Sequence, residues 1–116
     1  MNKKVSLFFA LLAIAQQNPD GFTVDKNTLQ PVKSGYAVAV AETQNSFNGY
    51  GLLKVIDHVL AHNEINAFGG WFNSENNRFY WDGTIIVNDL NLAIDLGRRN
   101  KQIAIFDLAN LEEIRL

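Results

Sequence analysis

The chain of 116 residues has no cysteine, two prolines and a single methionine, and each scarcity excludes something. Without cysteine there is no disulfide framework and no thiolate metal centre, so a small domain must hold itself together by its core. With proline only at positions 19 and 31, most of the chain lacks the strongest breaker of helices and central strands. An excess of one charge is also missing. The 10 basic and 12 acidic residues give a net charge of −2, spread without large blocks, which is not the footprint of a protein that binds a phosphate backbone. The apolar stretch Val5–Ala15 is shorter than the roughly 20 residues a bilayer-spanning helix needs. No linker, repeat or low-complexity tract interrupts the chain, which predicts one domain over residues 1–116.

What is present starts with the opening stretch. Lys3 and Lys4 precede the apolar run, and Ala13-Ile14-Ala15 has the small-x-small form of a cleavage site, so a secretion signal is one reading. The spacing inside the run favours another. Ser6, Ala10, Ala13 and Gln17 recur at helical steps and form one narrow stripe, with Phe8, Leu11, Leu12 and Ala15 across from it. A signal core needs no such periodicity, whereas a helix packed on a globular core needs two different faces. Asn18-Pro19 ends the helix and Asp20-Gly21 supplies a turn. The expectation is an N-terminal helix over residues 1–17 that packs on the sheet of a cytoplasmic protein, with secretion as the alternative.

Phe22–Lys33 reads as an irregular or short extended connection, because Pro31 bars a helix. In Gly35–Glu42, Tyr36, Val38 and Val40 alternate with Ala37, Ala39 and Ala41, and two apolar faces mark a central strand. The small alanine face needs a bulky cover, which the opening helix is expected to supply. Leu52, Leu53, Ile56, Val59 and Leu60 form the core stripe of a helix over about Gly51–His62. Two strands follow around a turn at Ser74–Asn77, and Asp82-Gly83 within the second is either a bulge or a further turn. Asp89 suits the N-cap of a short helix that ends at Arg98 and Arg99. The stretch QIAIFDL closes as a buried strand, with a short edge strand after it. The order β-α-β-β-α-β, preceded by a helix, predicts an α+β fold with a ferredoxin-like, four-stranded antiparallel sheet.

No complete catalytic or metal-binding motif occurs. His58 and His62 stand four apart on a helix, a spacing that two metal ligands use, but the metalloprotease glutamate is missing and the chain has no further histidine or cysteine. Solvated helix histidines are the simpler reading, and no metal or other cofactor is expected. The glycines and lysine of Gly49–Lys54 match neither the dinucleotide nor the P-loop spacing. The hairpin holding Trp71, Phe72, Phe79, Tyr80 and Trp81 must send aromatics to both sheet faces. Phe79 and Trp81 share one face, expected to be core, and Tyr80 takes the other, expected to make contacts. RNA-recognition domains of related topology stack bases on such aromatics, but their glycine pattern is lacking and the charge balance is acidic.

The phrases GYAVAVAETQNSF, GGWF and QIAIFDL resemble stretches of small uncharacterised proteins encoded by gut bacteria and by their phages or mobile elements. The resemblance implies an intracellular accessory protein that binds a host or phage protein, and it carries no activity with it. The expected function is a non-enzymatic binding module with a protein partner, or a second copy of the chain, and without nucleic acid or membrane. Its contact surface combines the polar loop residues Glu42, Thr43, Gln44, Asn45, Ser46 and Tyr50 with Trp71 and Tyr80 of the hairpin. The alternative is a small enzyme with Glu42 or Asp82 as general acid/base and Gln44, Asn45 or His58 to orient a substrate.

Overall fold

A computed structural model describes residues 2–116. In chain order the elements are α1 (Lys3–Gln17), β1 (Gly21–Asp25), β2 (Tyr36–Ala39), a 3-10 turn at Ala41–Thr43, β3 (Ser46–Phe47), α2 (Asn48–Ala61), β4 (Ala67–Asn73), β5 (Arg78–Val87), α3 (Leu90–Arg99), β6 (Ala104–Asp107) and β7 (Glu112–Arg115). The strands form one seven-stranded sheet in the order β1-β4-β5-β2-β6-β7, with β3 added against β5. Every pairing in it is antiparallel.

The fold is thus α+β with an N-terminal helix, but the four-stranded ferredoxin-like sheet expected from the element order is not what forms. The strands that carried that expectation stand side by side as β4-β5-β2-β6, with β2 inside, and β1, β3 and β7 widen the sheet. The segment after Gly21 proves to be a real strand: all five residues of β1 pair with β4, from Gly21↔Trp71 to Asp25↔Ala67. Pro31 excludes a helix there, yet it bridges to Val24 at the outer edge of β1, where a missing N–H costs nothing to the ladder. Gly21 has φ 144°, and a Cβ there would lie 2.8 Å from the carbonyl oxygen of Gly70, so glycine is required at this crossing.

β2 is shorter than the expected strand over Gly35–Glu42. After Ala39 the chain leaves the sheet in the 3-10 turn and returns as β3, which pairs Ser46 with Trp81 and Phe47 with Tyr80. Thr43 fixes this excursion, because its Oγ1 accepts the Gly83 N–H at 3.0 Å and donates to the Val40 carbonyl at 3.2 Å. On the opposite side of β5 the register with β4 runs unbroken from Ala67↔Thr84 to Asn73↔Arg78. Asp82-Gly83 is therefore neither a bulge nor a turn, but part of one continuous strand.

Strand alternation and this register put Phe22, Val24, Phe68, Trp81, Ile85, Val38 and Ile105 on one face of the sheet. Leu7 and Leu11 of α1 and Leu52, Val55, Ile56 and Val59 of α2 pack on the β1-β4-β5 part of that face, and Ala93 of α3 packs with Val38 and Ile105. All three helices consequently lie on the same side. The expectation that the opening helix covers the alanine face is overturned, since Ala37 and Ala39 pair with Ile86 and Thr84 on the other face. The cause is chain length and polarity. Only Asn18–Asp20 separate α1 from β1, β1 lies three strand spacings of about 4.8 Å from β2, and Phe22 and Val24 of β1 and Phe68 of β4 point to the α2 side, where α1 packs with them. The polar stripe is as expected in direction: Ser6, Ala13 and Gln17 are exposed, and Leu7 and Leu11 are buried.

Candidate functional site

Because the helices share one side, the other face of the sheet carries no helix. Its residues follow from the register: Trp71 opposite Tyr80, Gly69 opposite Asp82 and Ala67 opposite Thr84 on β4 and β5, with Ile86, Ala37 and Phe106 further along. Ala67 and Thr84 are buried among their neighbours, whereas Trp71 keeps 47% and Phe106 37% of its surface exposed.

The hairpin end of this face is aromatic. The Trp71 and Tyr80 rings stack at 5.0 Å with 18° between their planes, and Phe47 meets Tyr80 edge-on at 5.8 Å. The Arg78 guanidinium lies 4.3 Å from the centre of the Phe47 ring, and the Asn76 side-chain N–H donates to the Tyr80 hydroxyl at 2.8 Å. Each ring therefore has a held orientation before any partner arrives, which lowers the entropy cost of contact. Phe47 and Arg78 were not among the expected site residues. Arg78 shares the alternation of Tyr80 and was legible in principle, whereas Phe47 reaches the cluster only because β3 pairs with β5.

Next along the face comes Asp82. Its partner on β4 is Gly69, where a Cβ would strike the Asp82 carboxylate and lie 3.0 Å from Thr84 Oγ1, so the missing side chain lets the carboxylate lie across β4. The Thr84 hydroxyl donates to Asp82 Oδ1. Burial on the sheet pushes the Asp82 carboxyl up to about 6, against the Thr84 bond, which favours the ionised form.

That shift has a sign that can be tested. A carboxyl with its folded value raised from 3.8 to about 6 binds more protons in the native than in the unfolded state between those values, so its contribution to stability is lost as pH rises through them. At neutral pH the charge costs up to about 3 kcal/mol. Asp82→Asn is expected to be more stable than the parent by about 1–3 kcal/mol at neutral pH, with the difference shrinking towards about pH 4. Urea unfolding of both chains across this range checks it; an equal or less stable variant at neutral pH would show that the carboxylate is not held at a cost.

The expected loop residues do not form one surface. Thr43 and Ser46 are buried, at 0% and 3% exposure, Thr43 as the brace described above and Ser46 under α2, where a Cβ on Gly51 would meet the Ser46 backbone at 2.7 Å. Both are structural. Gln44 and Asn45 are exposed at the turn, and Tyr50 is 87% exposed on the first turn of α2. Glu42 lies on the helix side, where it lines a concavity of about 240 Å³ with His58, His62, Glu64 and Asn100. The two imidazoles stack at 4.0 Å, and His62 Nδ1–H donates to the His58 carbonyl at 2.8 Å, so that nitrogen is committed to the helix end. Among the described residues no group of three or more His, Cys, Asp or Glu side chains is placed to hold a metal ion. Glu42 and Asp82, the two carboxylates of the enzyme alternative, stand on opposite sides of the sheet and cannot act as a pair.

Comparison with protein-family models, curated proteins and solved structures finds no match to the chain. No helix of the described residues is long and apolar enough to cross a membrane.

Proposed function

We propose that the chain is a non-enzymatic binding module that contacts a protein partner through the helix-free face of its sheet, centred on Trp71 and Tyr80. The observation that carries this reading is the placement of all three helices on one side, which leaves a stacked, half-exposed aromatic pair on the other. Exposed apolar patches of this kind mark interaction sites, and Trp and Tyr are enriched among the few residues that carry most of the binding energy of an interface. A cytoplasmic accessory role in a bacterium, phage or mobile element belongs to the same proposal. It is supported by the phrase resemblance, by the absence of cysteine and by the packing of α1 into the core.

The test is capture of partners by the tagged full chain, identified by mass spectrometry. Trp71→Ala with Tyr80→Ala is expected to reduce recovery of the specific partner by about tenfold or more, with the fold retained. The triple change Glu42→Ala, Gln44→Ala and Asn45→Gly, on exposed side chains of the loop and with glycine at position 45 because its backbone is left-handed at φ 60°, is expected to shift stability by less than about 1 kcal/mol and to reduce capture less. Loss of capture in the triple variant alone would move the contact surface to the helix side.

A further inference from the structure

Among the charged groups of the helix-free face, Asp82 stands apart. Arg78 is engaged on the Phe47 ring, and Asp25, at the end of β1, accepts the backbone N–H groups of Asn27 and Thr28 at 2.8 and 3.0 Å. Glu113 and Arg115 on β7 lie 3.7 Å apart as an ion pair. Asp82 has only the Thr84 hydroxyl; the ion pairs among the described residues are Lys4–Asp57, Asp95–Arg99 and Glu113–Arg115, and none involves it. An anion without a counter-charge, set in the middle of a strand and beside an aromatic stack, asks for a partner that brings the charge.

We infer that Asp82 receives a lysine or arginine side chain of the partner protein, whose charge rests on the carboxylate while its aliphatic stem lies along the Trp71–Tyr80 stack. The inference rests on the reading of this face as a protein-contact surface and names the chemistry that the partner must present. Three features of the place support it. Gly69 and Thr23, the residues in line with Asp82 on β4 and β1, are small, so on that side no bulky side chain stands beside the carboxylate. The Trp71↔Tyr80 pair lies two residues along both strands, about 7 Å away, a span that the stem of a long basic side chain covers. Aromatic faces attract cations and exclude water, which strengthens a contact to the carboxylate that an open surface would screen.

The alternatives fit less well. A phosphate backbone would meet the unpaired carboxylate with like charge. A metal ion would find one carboxylate and one hydroxyl. A free small cation would leave Trp71, Ile86 and Phe106 uncovered, whereas a basic segment of a protein brings apolar neighbours to cover them.

The experiment uses the full chain, isotope-labelled, and the peptide amide acetyl-Ser-Leu-Lys-Leu-Ser, with its arginine counterpart and a norleucine control. The amide signal of Gly69 and the indole signal of Trp71 report on the site in a titration followed by nuclear magnetic resonance. The basic peptides are expected to shift both signals saturably and to bind about fivefold more tightly than the norleucine peptide. Asp82→Asn, which is expected to fold and to gain stability, should lose that preference while keeping the weaker apolar binding. Trp71→Ala should weaken all the peptides. If Asp82→Asn keeps the preference, or if no peptide shifts either signal, the inference is overturned. If Trp71→Ala still loses binding in the first of these cases, the reading of the face as a contact surface stands without it.

Discussion

Replacing Trp81 by Ala is expected to cost about 3–5 kcal/mol, against a typical domain stability of about 5–15 kcal/mol, and to shift chemical unfolding to much lower denaturant. The side chain is 6% exposed. Its ring meets Phe79 at 5.0 Å and Phe22 at 6.2 Å, so it joins β5 to the edge strand β1 under α1 and α2. Its indole N–H donates to the Asn48 carbonyl at 3.2 Å at the start of α2. Truncation would therefore open a cavity and remove the bond that ties β5 to the start of α2. Tyr80 is the control. It is the preceding residue, faces the helix-free side, and rests on Trp71 and Phe47, so Tyr80→Ala is expected to keep a cooperative transition near that of the parent. Equal losses in the two variants would mean that the aromatic stack belongs to the core.

Deletion of residues 1–17 is expected to have the largest effect of all, loss of cooperative folding. Leu7 and Leu11 of α1 are buried, and Phe8, Leu12, Ile14 and Ala15 pack against the same core with Phe22, Phe79 and α2. Each large apolar side chain contributes roughly 1.5–3 kcal/mol when fully buried, so removal of several together approaches the whole stability of a small domain. The Lys4–Asp57 ion pair at 2.8 Å is exposed on both sides and adds little. The loss is thus mainly hydrophobic rather than electrostatic. Circular dichroism melts of the full and shortened chains decide it, and a shortened chain that melts at the parent temperature would refute the packing of α1.

On the proposed reading of the helix-free face, Asp82 connects stability to binding. A carboxylate held half-buried at a cost in stability is what a binding site retains and a core discards. The expected pairing of greater stability with lost cation preference in Asp82→Asn is the signature of that trade, since replacing a purely structural Asp would lower stability and leave the preference unchanged.

Local periodicity in the chain determined much of the secondary structure and the inside or outside sense of single residues. The helical stripe of the opening segment, the core stripe of α2 at Leu52, Ile56 and Val59 (though Leu60 proves exposed and Val55 buried), the Asp89 cap that accepts from Asn91 and Leu92, the turn between β4 and β5, and the opposition of Trp81 to Tyr80 all follow from periods of 3.6 and 2. Those periods state which residues share a face. They do not state which face is covered, because that depends on pairings between strands far apart in the chain. Only the tertiary structure decided that β1 joins β4, that all three helices lie on one side, and that the alanine face of β2 stays without a helix. It also decided the candidate site. Phe47 reaches Tyr80 through β3, and Gly69 opposes Asp82 across a hairpin register that the turn at Ser74–Asn77 and the unbroken β5 set together. Thr43 and Ser46, polar in the sequence and expected in a contact loop, are interior for the same reason: the excursion after Ala39 folds back under α2 and carries them with it, Thr43 with its hydroxyl bonded to Val40 and Gly83 and Ser46 with a buried hydroxyl that meets no hydrogen-bond partner among the described residues.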